Sequence, residues 1–222
     1  MDIHFNFVKP KPLNVPQNSI QLANNIWGNN ITFKSAKQYK IIAPSGTGKS
    51  TFTHILAGIR HDYDGDILIH QRPLKGFSTK DWEKLRNDEM SFVYQSLKLF
   101  PQLSVEENLQ LKSEWCEKFQ STRMIEYAKL MGISPYLKTK VSKLSYGQCQ
   151  RIAIIRAICQ PFKWIILDEP FSHLDSENRD IAWSLIRKTA DENNAGIILC
   201  LLDNLEQIQT HFTLNLTNNI PT

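Results

Sequence analysis

Long apolar runs are missing from this chain of 222 residues. A membrane-crossing helix needs about 20 consecutive, mostly apolar residues. The best run here, Ile197–Leu202, has only the length of a strand. Met1-Asp2-Ile3-His4 lacks the basic-then-apolar order of a secretory signal. The expectation is a cytoplasmic protein that reaches any membrane through a partner. An excess of one charge is missing too. Lys and Arg number 26 against 22 Asp and Glu, a scattered net charge of +4, which argues against a nucleic-acid partner. Cysteine is sparse: Cys116, Cys149, Cys159 and Cys200 form no CxxC pair and have no metal-like spacing. Three lie in apolar surroundings, as buried free thiols in a reducing compartment would. Repeats and low-complexity tracts are absent. A hydrophobic share of 41% suits one globular domain over residues 1–222, with room for a lobe of its own.

Short apolar runs alternate with helical stretches. Tyr39–Ala43 reads as a buried strand, followed by the turn Pro44–Gly48 and a helix from Lys49 to about Gly58. Asp66–Ile69 and Met90–Tyr94 read as further strands. Lys9-Pro10-Lys11-Pro12 through Pro16 reads as a loop or an edge connection, because proline denies the ladder its N–H. From Ser104 the pattern turns helical as far as Gly132, with Ser104 and Glu107 as a capping box and Gly132 as the C-cap. Ser145 and Gln148 form a second box, opening a helix with Ile152, Ile155 and Ile158 on one face. Trp164–Leu167 and Ile197–Leu202 are continuous apolar runs, as parallel strands covered on both sides require. The alternation indicates an α/β core (residues 1–95 and 161–222) with a helical lobe inserted at about 96–160.

Three segments carry chemistry. Ala43-Pro44-Ser45-Gly46-Thr47-Gly48-Lys49-Ser50 nearly matches the phosphate-binding pattern G-x-x-x-x-G-K-[ST], and Thr51 follows it on the helix. Gly46 and Gly48 let successive N–H groups turn inward toward phosphate oxygens. The helix start adds a positive end. Lys49 is placed to reach the β- and γ-phosphates, and the Ser50 hydroxyl to bind Mg²⁺. Ala43 stands where the first glycine belongs, which requires a negative φ there. In Trp164-Ile165-Ile166-Leu167-Asp168-Glu169, two carboxylates end an apolar strand and face the ligand crevice of an open sheet. Asp168 is expected to hold Mg²⁺ through its water shell. Glu169 is expected to act on the attacking water as a general base or an orienting group.

Leu144-Ser145-Tyr146-Gly147-Gln148 lies 20 residues before Asp168. It resembles the signature sequence LSGGQ of the ABC ATPases, with Tyr146 in place of a glycine. The phosphate loop, Gln95 in Phe92-Val93-Tyr94-Gln95, this signature, Asp168-Glu169 and Ser172-His173-Leu174-Asp175 occur in the order of that family over residues 43–175. The resemblance implies a P-loop NTPase (RecA-like) α/β core, an antiparallel β edge region and an α-helical signature lobe. It implies ATP and Mg²⁺ as cofactors. It also implies a homodimer in which Ser145, Gly147 and Gln148 face the γ-phosphate held by the other subunit, and a separate membrane permease as partner. Gln95 is implied on Mg²⁺ and the attacking water, and Asp175 in the loop that links the two sites. Family members also carry an aromatic against adenine on an early strand. Trp27 is the first choice and Phe7 or Phe5 the next, each also readable as core.

The pattern fails where the family has a histidine on the γ-phosphate, since alignment of Ile197–Asp203 puts Leu202 there. Leucine has no proton to donate, so hydrolysis is expected to be slow or to lean on Glu169. The stretch from Leu85-Arg86-Asn87 to Leu99–Asn108 resembles the lipoprotein-release, macrolide-export and cell-division subgroup, implying extraction or export. A nucleotide-gated module that barely hydrolyses is the alternative.

Overall fold

The computed structural model describes residues 1–11, 13, 24–111 and 121–216. Cys116 and most of the proline-bearing segment 12–23 lie outside them. Nine strands form two sheets among the described residues. β1 (Ile3–Pro10), β2 (Asn30–Phe33), β4 (Tyr63–Ile69) and β5 (Arg72–Pro73) build an antiparallel sheet in the order β2-β1-β4-β5. β3 (Gln38–Ile42), β6 (Met90–Val93), β7 (Trp164–Asp168), β8 (Gly196–Leu201) and β9 (Phe212–Asn215) build a parallel sheet in the order β6-β7-β8-β3-β9. Lys9 and Pro10, read from sequence as loop or edge, end β1 instead. β1 is a central strand of its sheet, and Pro10 is tolerated because it sits at the strand's end, opposite Tyr63.

The parallel sheet is the middle layer. β7 and β8 are buried at every position. Their residues alternate between two cores. Ile165, Leu167, Ile197, Leu199 and Leu201 join the cluster under the helical elements. Trp164, Ile166, Ile198 and Cys200 join the cluster shared with the antiparallel sheet. Helix α1 (Lys49–Leu56) lies in that second cluster through Phe52, Ile55 and Leu56, between the two sheets. This double burial explains why both strands read as unbroken apolar runs.

Residues 104–132, read from sequence as one helical pattern, hold two described helices, α2 (Thr79–Lys84) having come before them. These are α3 (Val105–Gln110) and α4 (Ser121–Leu130). The Ser104/Glu107 capping box is formed, and Gly132 takes the left-handed φ of 63° that a helix C-terminus favours. α5 (Tyr146–Ile158) opens on the Ser145/Gln148 box and buries Ile152, Ile155 and Ile158. α6 (Ser176–Glu192) is capped by Asp175. Cys159 and Cys200 are buried and Cys149 half-buried, all as free thiols.

Candidate nucleotide site

The loops after β3, β6, β7 and β8 leave the same C-terminal edge of the parallel sheet. They carry, respectively, the Ala43–Ser50 turn, Gln95, Asp168-Glu169 and Leu202. This is the edge at which open α/β sheets bind ligands.

The turn after β3 is built by backbone demand. Gly46 has φ 79° and Gly48 φ 108°, in the region that L side chains rarely adopt. Ala43 is not among the positive-φ residues, so alanine fits there. It is buried, and its N–H donates to Leu201 O at 3.0 Å, tying the turn to β8. Thr47 donates to Pro44 O from its N–H (3.3 Å) and its hydroxyl (2.7 Å), closing the turn. Pro44, Ser45 and Gly46 form its exposed crest. α1 starts on Gly48 with no side-chain cap, so its first N–H groups are left to a ligand or solvent. Thr51, in the first turn of α1, accepts from Arg60 at 3.4 Å.

Lys49 is 6% exposed, yet its ammonium has three oxygen neighbours: Ala43 O at 2.7 Å, Pro44 O at 3.2 Å and Glu169 Oε1 at 3.3 Å. Buried charge survives only when paired in this way. Next to it, the Ser50 hydroxyl donates to Asp168 Oδ2 at 2.9 Å and lies 3.4 Å from Gln95 Oε1. Asp168 Oδ1 is buried and has no hydrogen-bond partner among the described residues. Burial pushes the Asp168 carboxyl above the ordinary range, and the Glu169 charge adds to that, against the Ser50 hydrogen bond and the Lys49 charge. An orphaned carboxylate oxygen beside a hydroxyl and an amide oxygen is a hard-oxygen donor set that fits Mg²⁺. That ion is normally held by one or two carboxylates with substrate phosphates and water. Among the described residues there is no cluster of three His, Cys, Asp or Glu that would suit a softer metal.

Glu169 sits at φ 50°, a left-handed conformation that costs a glutamate on the order of 1–3 kcal/mol. Four hydrogen bonds hold it there, the longest from the Ser172 N–H to its carbonyl at 3.5 Å. Its N–H donates to Cys200 O at 3.0 Å, and its carbonyl accepts from Gln150 Nε2 (3.1 Å) and Ser172 Oγ (3.3 Å). Gln150, buried on α5, also donates to Ser172 Oγ at 2.9 Å and accepts from the His173 N–H at 3.0 Å. Sequence reading missed this residue. Its only signal was a polar side chain on the apolar side of a helix. Arg156, also on α5, clamps the loop after Gln95 by donating 2.9 Å bonds to Leu97 O and Lys98 O, both left-handed residues.

At the start of α5, Ser145 Oγ accepts from Gln148 N at 3.3 Å and Ser145 N donates to Gln148 Oε1 at 2.9 Å. A Cβ on Gly147 would stand 2.7 Å from His173 O, so only glycine lets the helix approach the turn after β7. Asp175 accepts from the N–H and the side-chain amide of Asn178, each at 2.8 Å, and the first of these holds its carboxyl below the usual range.

Trp27 is fully buried. Its indole donates to Thr47 O at 3.3 Å and lies beneath Gly48 and edge-on to Phe52. The indole thus props the turn from below, as part of the core cluster that also holds Phe5, Val8 and Phe52. Phe5 is buried as well, whereas Phe7 is 57% exposed at a bulge in β1. Leu202 is 40% exposed and lines a cavity of about 340 Å³ with Glu169, Ser172, Arg179 and Asp203.

Residues 27–172 match the family model described as ABC transporter. The chain is 33% identical over 166 residues to the lipoprotein-releasing system ATP-binding protein LolD of Buchnera aphidicola, covering 73% of each. It is 30% identical over 177 residues to LolD of Shewanella denitrificans, covering 78% of this chain and 76% of the relative. It superposes on a bacterial ABC transporter cassette solved as a dimer with a TM-score of 0.75 and 25% identity, over 91% of this chain and 88% of that one. The same cassette has been solved in a post-hydrolysis state bound to ADP and Pi. With the phosphate turn and the paired acids gathered on one sheet edge and the signature turn bonded to the Gln95 loop beside them, this chain belongs to the ABC transporter family, as one of its ATP-binding, ATP-hydrolysing subunits.

Proposed function

We propose that two copies of this chain close around two ATP molecules and drive a separate membrane permease, acting from the cytoplasmic face in export or in lipoprotein or lipid extraction. The observation that carries the reading is the convergence of Lys49, Ser50, Gln95, Asp168 and Glu169 on one sheet edge, within 3.4 Å links. In this reading residues 1–222 form one domain, with a core (1–95, 161–222) and a helical lobe (about 96–160).

The turn Pro44–Gly48 and the first N–H groups of α1, at Lys49, Ser50 and Thr51, cradle the phosphates. Lys49 exchanges its carbonyl partners for β- and γ-phosphate oxygens and neutralises their charge. Ser50, Asp168 and Gln95 would hold Mg²⁺, which would supply positive charge against that developing on the phosphates. Glu169 accepts or orients the proton of the attacking water, and the left-handed turn aims its carboxylate toward Lys49. Ser145, Gly147 and Gln148 present a second anion-binding helix start to the partner's γ-phosphate, and Asp175 carries the link between sites.

The permease reading is supported by an apolar groove beside Gln95, lined by Met90, Phe92, Tyr94, Phe100 and Arg156, with Phe100 55% exposed. The relatives named for lipoprotein release support the extraction reading. Leu202 at the end of β8 favours a second reading, a nucleotide-gated switch that binds ATP and signals while hydrolysing slowly. Steady-state Mg-ATP hydrolysis by the purified chain separates them. The motor predicts turnover that Glu169→Gln removes. The switch predicts ATP-dependent dimerisation with turnover no higher than that of Glu169→Gln.

A further inference from the structure

Tyr146 replaces a glycine of the signature pattern, and the structure shows what the replacement adds. Its hydroxyl donates to the main-chain oxygen of Gln95 at 2.6 Å, across 51 residues of sequence. Its ring packs on the His173 imidazole, with centroids 4.4 Å apart and planes at 57°. His173 is itself fixed, since its N–H donates to Gln150 Oε1 at 3.0 Å and its Nδ1 lies 3.0 Å from Ser172 Oγ. Gly147 permits the approach. Glycine at position 146 would contribute neither the hydroxyl bond nor the ring contact. Burial, with Cys149 and Glu169 close by, raises the phenol above its ordinary range, so it stays a donor at neutral pH.

We propose that Tyr146 is a positioning residue that fastens the Gln95 loop to the signature turn and, through His173, to the Ser172–Asp175 turn, so that three loops move as one unit within a single chain. The hydroxyl holds the Gln95 backbone where its side-chain oxygen lies 3.4 Å from Ser50 Oγ. The ring holds the turn that follows Glu169. Displacing one of these loops therefore displaces the other two.

The effect on turnover rests on the ATPase reading above, whereas the effect on loop order does not. Amide hydrogen exchange is measured on the full chain without nucleotide, for the native protein, Tyr146→Phe, Tyr146→Gly and His173→Ala. One part-exposed hydrogen bond corresponds to about three- to tenfold in a local opening equilibrium. Tyr146→Phe keeps the ring. It is expected to speed exchange about three- to tenfold over residues 94–98 and to leave 171–176 unchanged. Tyr146→Gly is expected to speed both segments, and His173→Ala only 171–176. With Mg-ATP, Tyr146→Phe is expected to lower kcat by a similar factor while KM for ATP stays within about twofold. Unchanged exchange over 94–98 in Tyr146→Phe overturns the proposal, as does faster exchange with an unchanged kcat. Should Tyr146→Gly fail to fold, Tyr146→Phe decides alone. Should the native chain show no turnover, the ATPase reading fails and the exchange result still decides the role of Tyr146.

Discussion

Leu202 stands at the end of β8, 40% exposed, on the wall of the cavity it shares with Glu169 and Ser172. Replacement by histidine exchanges a side chain with no donor for one that can offer a proton toward a γ-phosphate beside Glu169. The position is part-exposed and is not part of either apolar core, so the fold should change by no more than about 0.5 kcal/mol. A donor preorganised on developing charge is worth about 2.7–4 kcal/mol, or 10²- to 10³-fold in rate. An imidazole placed without a tuned surround captures part of that, and Leu202→His is expected to raise kcat about tenfold. Leu202→Ala controls for the loss of the apolar side chain and is expected to leave kcat within about twofold, since it adds no donor. Phosphate release at saturating Mg-ATP is the assay, with unfolding curves confirming the fold. An unchanged or slower rate in a folded, ATP-binding Leu202→His variant would refute the view that a missing γ-phosphate donor limits this site.

Gln150→Leu leaves the Glu169 carbonyl and the His173 N–H short of a partner; we expect a loss of about 1–3 kcal/mol in denaturant unfolding and a kcat at least about tenfold lower. Gly196→Ala places a Cβ 2.3–2.6 Å from the Trp164 ring, and this overpacking should cost about 1–3 kcal/mol, with ATP binding preserved at the distant sheet edge. Asp175 has a depressed pKa because it accepts from the Asn178 N–H. It therefore contributes stability above the ordinary carboxylate range and loses it as pH falls through its folded value. Asp175→Ala should accordingly lower Tm at pH 7, with the gap closing in acid; a pH-independent gap would refute the cap.

The phosphate turn was legible because its chemistry is local. Glycines must precede a Lys-Ser helix start for N–H groups to converge, and the structure shows Gly46 and Gly48 with the positive φ this requires. β7 and β8 were legible because burial on both faces leaves no polar position. Trp27 stays open between base and core in the sequence, because an early aromatic suits either equally well; its full burial is what places it in the core. Gln150 and Tyr146 were missed as organisers because their partners lie 19–51 residues away in sequence, where no periodicity points. β9 was not foreseen, since Phe212–Asn215 is an edge strand with no buried position and carries no apolar run.

Hydrolysis at this site depends most directly on Glu169. Glu169→Gln keeps the length of the side chain and a hydrogen-bonding oxygen toward Lys49 but removes the base. ATP turnover and oligomeric state should be measured together, with Mg-ATP, for this variant and the native chain. The account predicts that the native chain turns over, and that Glu169→Gln binds ATP and accumulates as a dimer with turnover lowered by about 10²-fold or more. Equal turnover in the two chains, or ATP bound by a Glu169→Gln chain that stays monomeric, would contradict it.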